Sequence, residues 1–547
     1  MDPIASPSRD RARWWQRGVV YQIYPRSFLD SNGDGVGDLR GITLRLPYLA
    51  WLGIDVVWIS PFYPSPMADF GYDVRDYTDV DPIFGDLAAF DELVAVATSH
   101  NIRIILDFVP NHTSKEHAWF IESRSSRNSA KRDFYIWADP RPDGGAPNNW
   151  LSIFGGRAWE WDAPSGQYYM HTFLPEQPDL NWRNPAVVSA MHDVLRFWLD
   201  RGVSGFRIDA PLPMMKDPQM RDNPPNTGKP TYHRPFGDYD TLVPLYSQGH
   251  PDIHEIFRGF RKVLDAYPDK VAIGEIHEFH WPTWATYYGV DLDELHMPFN
   301  FGLLKIPWTA RAAAQLVTEI ESSLPKGAWP NYVFGNHDEP RIASRLGTEA
   351  RARVAMMMLL TLRGTPTIYF GEELGMFNGQ ILPEQTRDPW ELRVPGIGVG
   401  RDPGRTPMHW DASANSGFCG EGVTPWLPVG IDYMERNVAS QRENPRSMLH
   451  LTRTLLALRA QTPALQGGTY RTVHDGDGDC FAYLRESDDG QRYLIALNFA
   501  DAERSLSLPT ADIGTVLLST HADTHDERRE LGTLRLRADE GLVIALG

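Results

Sequence analysis

Cysteine is nearly absent. Cys419 and Cys480 are the only two in 547 residues, and their wide separation excludes a disulfide framework and a cysteine metal motif. Long apolar runs are missing as well: no stretch reaches the roughly 18 apolar residues of a membrane-spanning helix. The start, Met1-Asp2-Pro3-Ile4-Ala5-Ser6-Pro7-Ser8-Arg9-Asp10, lacks the apolar centre of a signal peptide. The expectation is a soluble chain of a reducing cytoplasm, monomer or homodimer. Positive charge is in the minority, 53 Lys and Arg against 71 Asp and Glu, giving a formal charge of −18. That balance, spread without acidic runs, argues against nucleic acid and anionic membrane surfaces as partners. Low-complexity tracts and short-period repeats are lacking too.

What is present is length, aromatic rings and a strand-helix rhythm. A chain of this size holds a barrel of about 250 to 400 residues plus further modules. The 18 Trp and 21 Tyr include several beside Gly, Pro and Asn, where exposed rings stack on sugars, although core packing accounts for most of them.

Three short apolar segments end in a carboxylate. Gly205-Phe206-Arg207-Ile208-Asp209-Ala210 puts Arg207 and Asp209 on one face by the two-residue alternation of a strand. An arginine beside a buried aspartate favours its ionised form, which suits a nucleophile; the plainer reading is a structural ion pair closing the strand. Val271 to Ile276 carries Glu275, and Asn331 to Asp338 carries Asp338. A parallel β/α barrel gathers such strand ends at one mouth.

Read in order, Val19 to Phe28 predicts a strand, and Asp30-Ser31-Asn32-Gly33-Asp34-Gly35-Val36-Gly37-Asp38 follows at once. Asp30, Asn32, Asp34 and Asp38, with the Val36 carbonyl, have EF-hand-like spacing, so a structural divalent cation is expected, Ca²⁺ with Mg²⁺ as the alternative. An ion-free Asx-rich turn is the competing reading. A helix over Leu39 to Leu52 and a strand over Ile54 to Pro61 lead to a loop in which Asp69 and Tyr72 face a ligand or serve only as turn residues. Arg103 to Val109 is the third strand, running into Pro110-Asn111-His112; a lone His there is more often a loop hydrogen-bonder than a catalytic group. The stretch from Thr113 to Asn181 far exceeds an ordinary βα loop and reads as an inserted subdomain. Helices over Val187 to Arg201 and Ile253 to Ala266 flank the Asp209 strand and a proline-rich loop, Pro211 to Gly249. Glu294 to Asn300 and Thr365 to Leu374 supply the sixth and eighth strands. Arg405 is a candidate ligand-facing cation in a loop, and a helix over Pro445 to Ala460 precedes alternating strands from Thr469. The expected fold is an α/β (β/α)8 TIM barrel (1–112 and 182–468) with an inserted subdomain after strand 3 (113–181) and a C-terminal antiparallel β-sandwich (469–547).

Asp107-Phe108-Val109-Pro110-Asn111-His112, Gly205 to Asp209, Gly274-Glu275 and Asn336-His337-Asp338, in this order, resemble the α-amylase superfamily of glycoside hydrolases, with the nearest likeness to bacterial α-glucosidases and oligo-1,6-glucosidases. The Asp30 to Asp38 loop and Arg405-Thr406-Pro407-Met408 support the likeness. The resemblance implies that Asp209 is the nucleophile, Glu275 the general acid/base, and Asp338 the carboxylate that binds and distorts the sugar. Arg207, His112 and His337 would flank the reacting ring, with Asp69, Tyr72 and Arg405 closing a pocket for one terminal glucosyl unit. The chain departs from the pattern at Glu339, where relatives often carry Arg or Gln, at His409 in place of a common glutamine, and in the run Pro211 to Met215. Ala210 matches α-1,4-preferring relatives, whereas α-1,6-preferring ones often carry Val.

The activity so implied is a retaining, exo-acting α-glucosidase that releases glucose from small maltose-like α-glucosides, needs no organic cofactor, and transfers glucose to hydroxyl acceptors as a side reaction. The alternatives are an isomerising transglucosidase such as trehalose synthase, an oligo-1,6-glucosidase, and an inactive barrel serving as a binding subunit. The last is disfavoured because all three acids are present.

Overall fold

Apolar residues of the first 370 positions alternate between two packing environments, and that alternation builds the barrel. The computed structural model describes residues 13–228, 235–508 and 512–547. The N-terminal stretch read above for targeting lies outside the described residues in 1–12, as does the middle of the Pro211 to Gly249 loop, 229–234.

Eight parallel strands form the barrel: β1 (Val20–Ile23), β2 (Val56–Ile59), β3 (Arg103–Phe108), β4 (Gly205–Ile208), β5 (Val271–Gly274), β6 (Met297–Pro298), β7 (Asn331–Val333) and β8 (Thr365–Tyr369). They run in the order β7-β8-β1-β2-β3-β4-β5-β6. Val20, Val56, Trp58, Ile105, Val271, Ile273, Met297 and Val333 pack together as the barrel interior. Their neighbours Tyr21, Val57, Ile59, Ile104, Leu106, Ala272 and Tyr332 belong to the larger core shared with the helices. Period-two alternation thus sorts side chains in and out. Phe206 and Ile208 face the helices, so Arg207 between them points inward, as does Asp107 between Leu106 and Phe108.

Seven of the eight strand junctions are backbone ladders. At the remaining one, between β6 and β7, the Asn331 side chain bridges: its Nδ2 donates to the Pro298 carbonyl at 3.1 Å, and its Oδ1 accepts from the Asn300 N–H at 2.9 Å. Glycine is required at Gly205 (φ 150), where a Cβ would stand 2.1 Å from the Val271 carbonyl oxygen of the adjacent strand.

Helices begin where a side-chain oxygen caps them. Asp38 accepts from the Gly41 N–H ahead of Leu39–Leu52, Asn184 from Ala186 ahead of Pro185–Asp200, and Ser447 from His450 ahead of Met448–Gln461; each such cap is worth about 1 kcal/mol. The segment after β3 holds a three-stranded antiparallel sheet with Gln167–Met170 between Trp137–Ala138 and Trp159–Asp162. From Thr469 the chain builds a six-stranded antiparallel sheet, and a two-stranded ribbon, Arg504–Ser507 with Thr533–Leu536, shares its apolar core. Among the described residues no helix is long and apolar enough to cross a membrane.

The expected strand over Val19 to Phe28 is shorter in the structure. It stops at Ile23, and Pro25 opens a 3₁₀ turn, Pro25–Ser27, because proline fixes φ and has no N–H for a ladder.

Candidate active site

The three strand-end acids meet at one mouth of the barrel. Asp209, Glu275 and Asp338 line a single cavity together with Asp69, Tyr72, His112 and His337, and counted out to its open mouth it encloses about 1410 Å³ of empty space. Asp209 and Glu275 lie just past the ends of β4 and β5, and Asp338 five residues past the end of β7.

Arg207 organises the floor. Its Nη1 lies 2.6 Å from Asp209 Oδ1 and 2.8 Å from Asp107 Oδ1, while Nη2 lies 2.9 Å from Glu275 Oε2. The Ala210 N–H also donates to Glu275 Oε2 at 2.9 Å, and Ala210 has φ 37, a left-handed backbone uncommon outside glycine. Two functional carboxylates therefore sit on adjacent nitrogens of one guanidinium.

Arg207 favours the ionised form of Asp209, as expected, but it is shared, and other influences oppose it. Burial pushes the Asp209 carboxyl well above its ordinary range; Arg207 opposes this, and the charges of Glu275 and Asp107 add to it. Burial likewise pushes Asp107 up to about 6, against the pull of Arg207. At Glu275 burial also acts upward, but Arg207 and His277 outweigh it and hold the group down to about 2. Three carboxylates around one cation retain a proton among them, and it belongs to the cluster, not to a single oxygen.

Asp338 is held differently. Burial disfavours its charge, yet His337, Arg401 and Arg405 together keep it far below the usual carboxylate range. Arg405 Nη2 lies 3.0 Å from Asp338 Oδ1, Arg401 Nη1 lies 3.3 Å from the same oxygen, and His337 Nε2 lies 3.2 Å from Oδ2. His337 stacks between Tyr72 and Tyr24 at centroid distances of 5.2 and 5.7 Å. Gln22 Nε2 donates to its Nδ1 at 2.7 Å, which leaves the proton on Nε2, 2.7 Å from the Tyr72 hydroxyl; that hydroxyl donates to Asp107 at 3.0 Å. Burial pushes His337 down to about 3 and His112 down to about 4, so both imidazoles are neutral at pH 7.

The expectation for Arg405 changes. It is buried behind Asp338, with Nε donating to the His337 carbonyl at 2.7 Å, and does not line the cavity. Arg401 takes the facing position. It binds Asp69 and Asp388 at 2.7 Å each, and the 3₁₀ turn Asp402–Gly404 lies between the two arginines, of which only Arg401 reaches the cavity surface. His112 Nε2 meets the Tyr72 carbonyl at 3.0 Å and Gln177 Nε2 at 3.1 Å.

Sequence reasoning missed Arg401, Asp388 and His277, and treated Asp107 only as part of a motif. His277 Nε2 lies 3.2 Å from Glu275 Oε1. Arg401 stands in the same run as Arg405, where a second arginine four residues away was the available signal. Leu212, Pro213, Phe279 and Phe301 add apolar wall to the same cavity, beside the polar His277, Lys305 and Glu339. Phe154, Phe236 and Trp390 pack into one cluster from three separate stretches of chain, Trp390 from the short helix Pro389–Arg393, with ring centroids 5.0 Å (Phe154 to Trp390) and 4.8 Å (Phe236 to Trp390) apart.

The Asp30 to Asp38 loop stands apart from the cavity. Asp30 accepts from the Asn32, Gly33 and Gly35 N–H groups at 3.0, 2.6 and 2.9 Å. Asp34 accepts from Val36 at 2.8 Å, and Asp38 from Ser31 and Gly41 at 2.8 and 2.7 Å. The donor set is all hard oxygen, and a carboxylate oxygen that takes one N–H keeps another lone pair, so its chemistry fits Ca²⁺. As these side chains stand they face the loop's own N–H groups, and among the described residues no three or more His, Cys, Asp or Glu converge on a metal position.

Comparison with known proteins gives the same outline. The family model described as "Alpha amylase, catalytic domain" matches residues 22–468. A probable α-glucosidase of Rhizobium meliloti is 42% identical, over 92% of this chain and 92% of its own, and an oligo-1,6-glucosidase of Parageobacillus thermoglucosidasius is 38% identical over 97% and 98%. Among solved structures, the α-glucosyl transfer enzyme XgtA superposes with a TM-score of 0.91 at 39% identity, covering 98% of this chain and all of its own. The trehalulose synthase MutB does so at 0.89 and 35%, with the same coverage. With the model spanning the barrel and these relatives spanning nearly the whole length, the chain belongs to the α-amylase family of glycoside hydrolases, family 13, as an α-glucosidase or transglucosidase.

Proposed function

We propose that the protein is a retaining, exo-acting α-glucosidase of small maltose-like α-glucosides that also transfers glucose to hydroxyl acceptors. The observation that carries this reading is Asp209 and Glu275 on adjacent nitrogens of the Arg207 guanidinium, an arrangement in keeping with the spacing of about 5 to 5.5 Å of a retaining pair. Asp209 attacks the anomeric carbon and forms a glycosyl ester as the bond to the leaving oxygen breaks; that oxygen takes the proton of Glu275. Glu275, now a carboxylate, takes a proton from water or an acceptor hydroxyl, whose oxygen displaces Asp209. Asp338, kept ionised by its arginines, accepts from the sugar hydroxyls.

Exo action is supported by the far end of the cavity. The Asp69-Arg401-Asp388 network beside Asp338 and the Phe154, Phe236 and Trp390 rings that line the cavity favour a bounded glucosyl site over an open groove. Ala210, with its single methyl, supports α-1,4 preference. Isomerising transfer remains the second reading, favoured by the likeness to a trehalulose synthase and by the apolar part of the cavity wall, which shelters the ester from water. Maltose separates the two readings: free glucose with glucosylated maltose supports the first, and a disaccharide isomer without net glucose the second. Asp209→Asn is expected to lower activity on p-nitrophenyl α-glucoside and maltose, and Glu275→Gln activity on maltose, by at least about 10³-fold; near-native rates of either on maltose would end the proposal.

We also infer that Asp30, Asn32, Asp34, Asp38 and the Val36 carbonyl hold a structural cation, Ca²⁺ before Mg²⁺. It would neutralise the loop's carboxylates and takes no part in the reaction.

A further inference from the structure

Glu275 must donate a proton in one half of the reaction and accept one in the other, and the groups around it are unequally suited to these tasks. Its Oε2 is occupied by Arg207 and the Ala210 N–H at 2.9 Å each. Only Oε1 is left to exchange a proton with substrate, and His277 Nε2 stands 3.2 Å from it. The imidazole is braced: it stacks on Phe301 at 4.5 Å between centroids with an interplanar angle of 8°, and both rings line the cavity. Against an ionised carboxylate Nε2 carries the proton and donates, which stabilises the base form of Glu275 and not its acid form. Asp209, Asp107 and Asp338 also act on Glu275, each opposing that form when itself ionised; Lys305 and Glu339 line the same cavity.

We propose that His277 is a positioning residue for the second half of the reaction: braced by Phe301, it fixes the orientation of Glu275 Oε1 and favours its carboxylate, speeding deprotonation of the water or acceptor hydroxyl that releases the glucosyl ester. The step balances: the hydroxyl oxygen bonds the anomeric carbon, the ester bond to Asp209 breaks with its electron pair returning to the carboxylate, and the hydroxyl proton goes to Glu275 Oε1. The balance of downward influences on Glu275, in which Arg207 and then His277 overcome burial, agrees with this assignment. The proposal rests on Glu275 being the acid/base.

The test compares His277→Phe, which keeps a ring for Phe301 and loses the donor, with His277→Gln, which keeps an N–H donor and loses the ring. On p-nitrophenyl α-glucoside, whose leaving group needs little protonation, His277→Phe is expected to lower kcat about three- to ten-fold and KM in parallel, because the ester accumulates and kcat/KM is spared. On maltose the basic limb of the kcat/KM profile is expected to move upward by about 0.5 to 1 pH unit, since the acid form is no longer penalised. His277→Gln should recover most of both effects. The proposal is overturned if His277→Phe leaves limb and kcat unchanged, if kcat/KM on both substrates falls together with the limb in place, or if His277→Gln is no better than His277→Phe. Failure of the underlying reading shows separately, as a Glu275→Gln with near-native activity on maltose.

Discussion

Asp107 never touches the sugar in the proposed mechanism, yet its removal should reset the pH range of the enzyme. It shares Arg207 Nη1 with Asp209 and lies in the fully buried floor. In Asp107→Asn the amide oxygen keeps the bond to Arg207, and one negative charge disappears from a cluster of three acids around one cation. With about 5 Å between charges and an effective dielectric constant near 20, the lost repulsion is about 3 kcal/mol. At 1.36 kcal/mol per pH unit this corresponds to at most about 2 units on the last proton of the Asp209-Glu275 pair. The open cavity mouth reduces it, so the basic limb of kcat/KM on maltose is expected about 1 to 2 units lower. The direction follows from the sign of the removed charge: with less repulsion the cluster surrenders its proton more readily, and the acid form of Glu275 is lost at lower pH. There is also a structural cost. Asp107 Oδ2 accepts from the Tyr72 hydroxyl and Trp58 Nε1, and an amide NH₂ there leaves a donor facing a donor, worth about 1 to 3 kcal/mol. Thermal melting measures that part independently. A folded variant whose basic limb stays within about 0.3 unit of the parent would refute the shared-proton argument.

Glu372, just past β8, accepts from the Tyr369 N–H through Oε2 at 3.0 Å, while its Oε1 is buried without a hydrogen-bond partner among the described residues; burial pushes it up to about 7. Its folded value lies above its unfolded one, so its stabilising contribution is full below about pH 4.5 and is lost as pH rises through 7. Glu372→Gln does not titrate there, and its melting advantage should widen between pH 5 and 8 to about 2 to 3 kcal/mol; parallel melting curves across that range would sink the assignment. For the Asp30 to Asp38 loop, chelation is expected to lower the melting temperature and Ca²⁺ to restore it, by about 2.7 kcal/mol at a hundred-fold excess over Kd. Asp34→Ala should remove the response, and indifference of the native chain to both treatments would dismiss the cation.

The barrel was legible because its strands are apolar on both faces and separated by capped helices. Leu39–Leu52 begins and ends where its spacing placed it, and Ile253–Asp265 within one residue of it. Strand ends were overestimated where a barrel strand needs only a few residues. Glu294 to Asn300 reads as a strand, yet only Met297–Pro298 pairs, since proline has no N–H to continue the ladder. Asp209, Glu275 and Asp338 were legible because each closes a short apolar run. The partners that set their charge were not. Arg401, Asp388 and His277 come from loops without periodicity, and composition does not reveal which arginine of Arg401 and Arg405 faces the cavity. The setting of Asp209 was only half legible for a related reason: sequence shows one arginine two residues away, and only the folded chain shows two further acids claiming it.

The Asn331 bridge gives the barrel one seam of a different kind from the other seven. Where neighbouring strands are zipped by main-chain bonds, parting them means breaking several at once; here a single amide side chain spans the gap between β6 and β7. The staves on either side of that gap lead to Phe301 and to Asp338, so a small parting of the wall would move the Phe301 ring relative to the acid that grips the sugar, while Asp209, Arg207 and Glu275 stay on strands joined by continuous ladders.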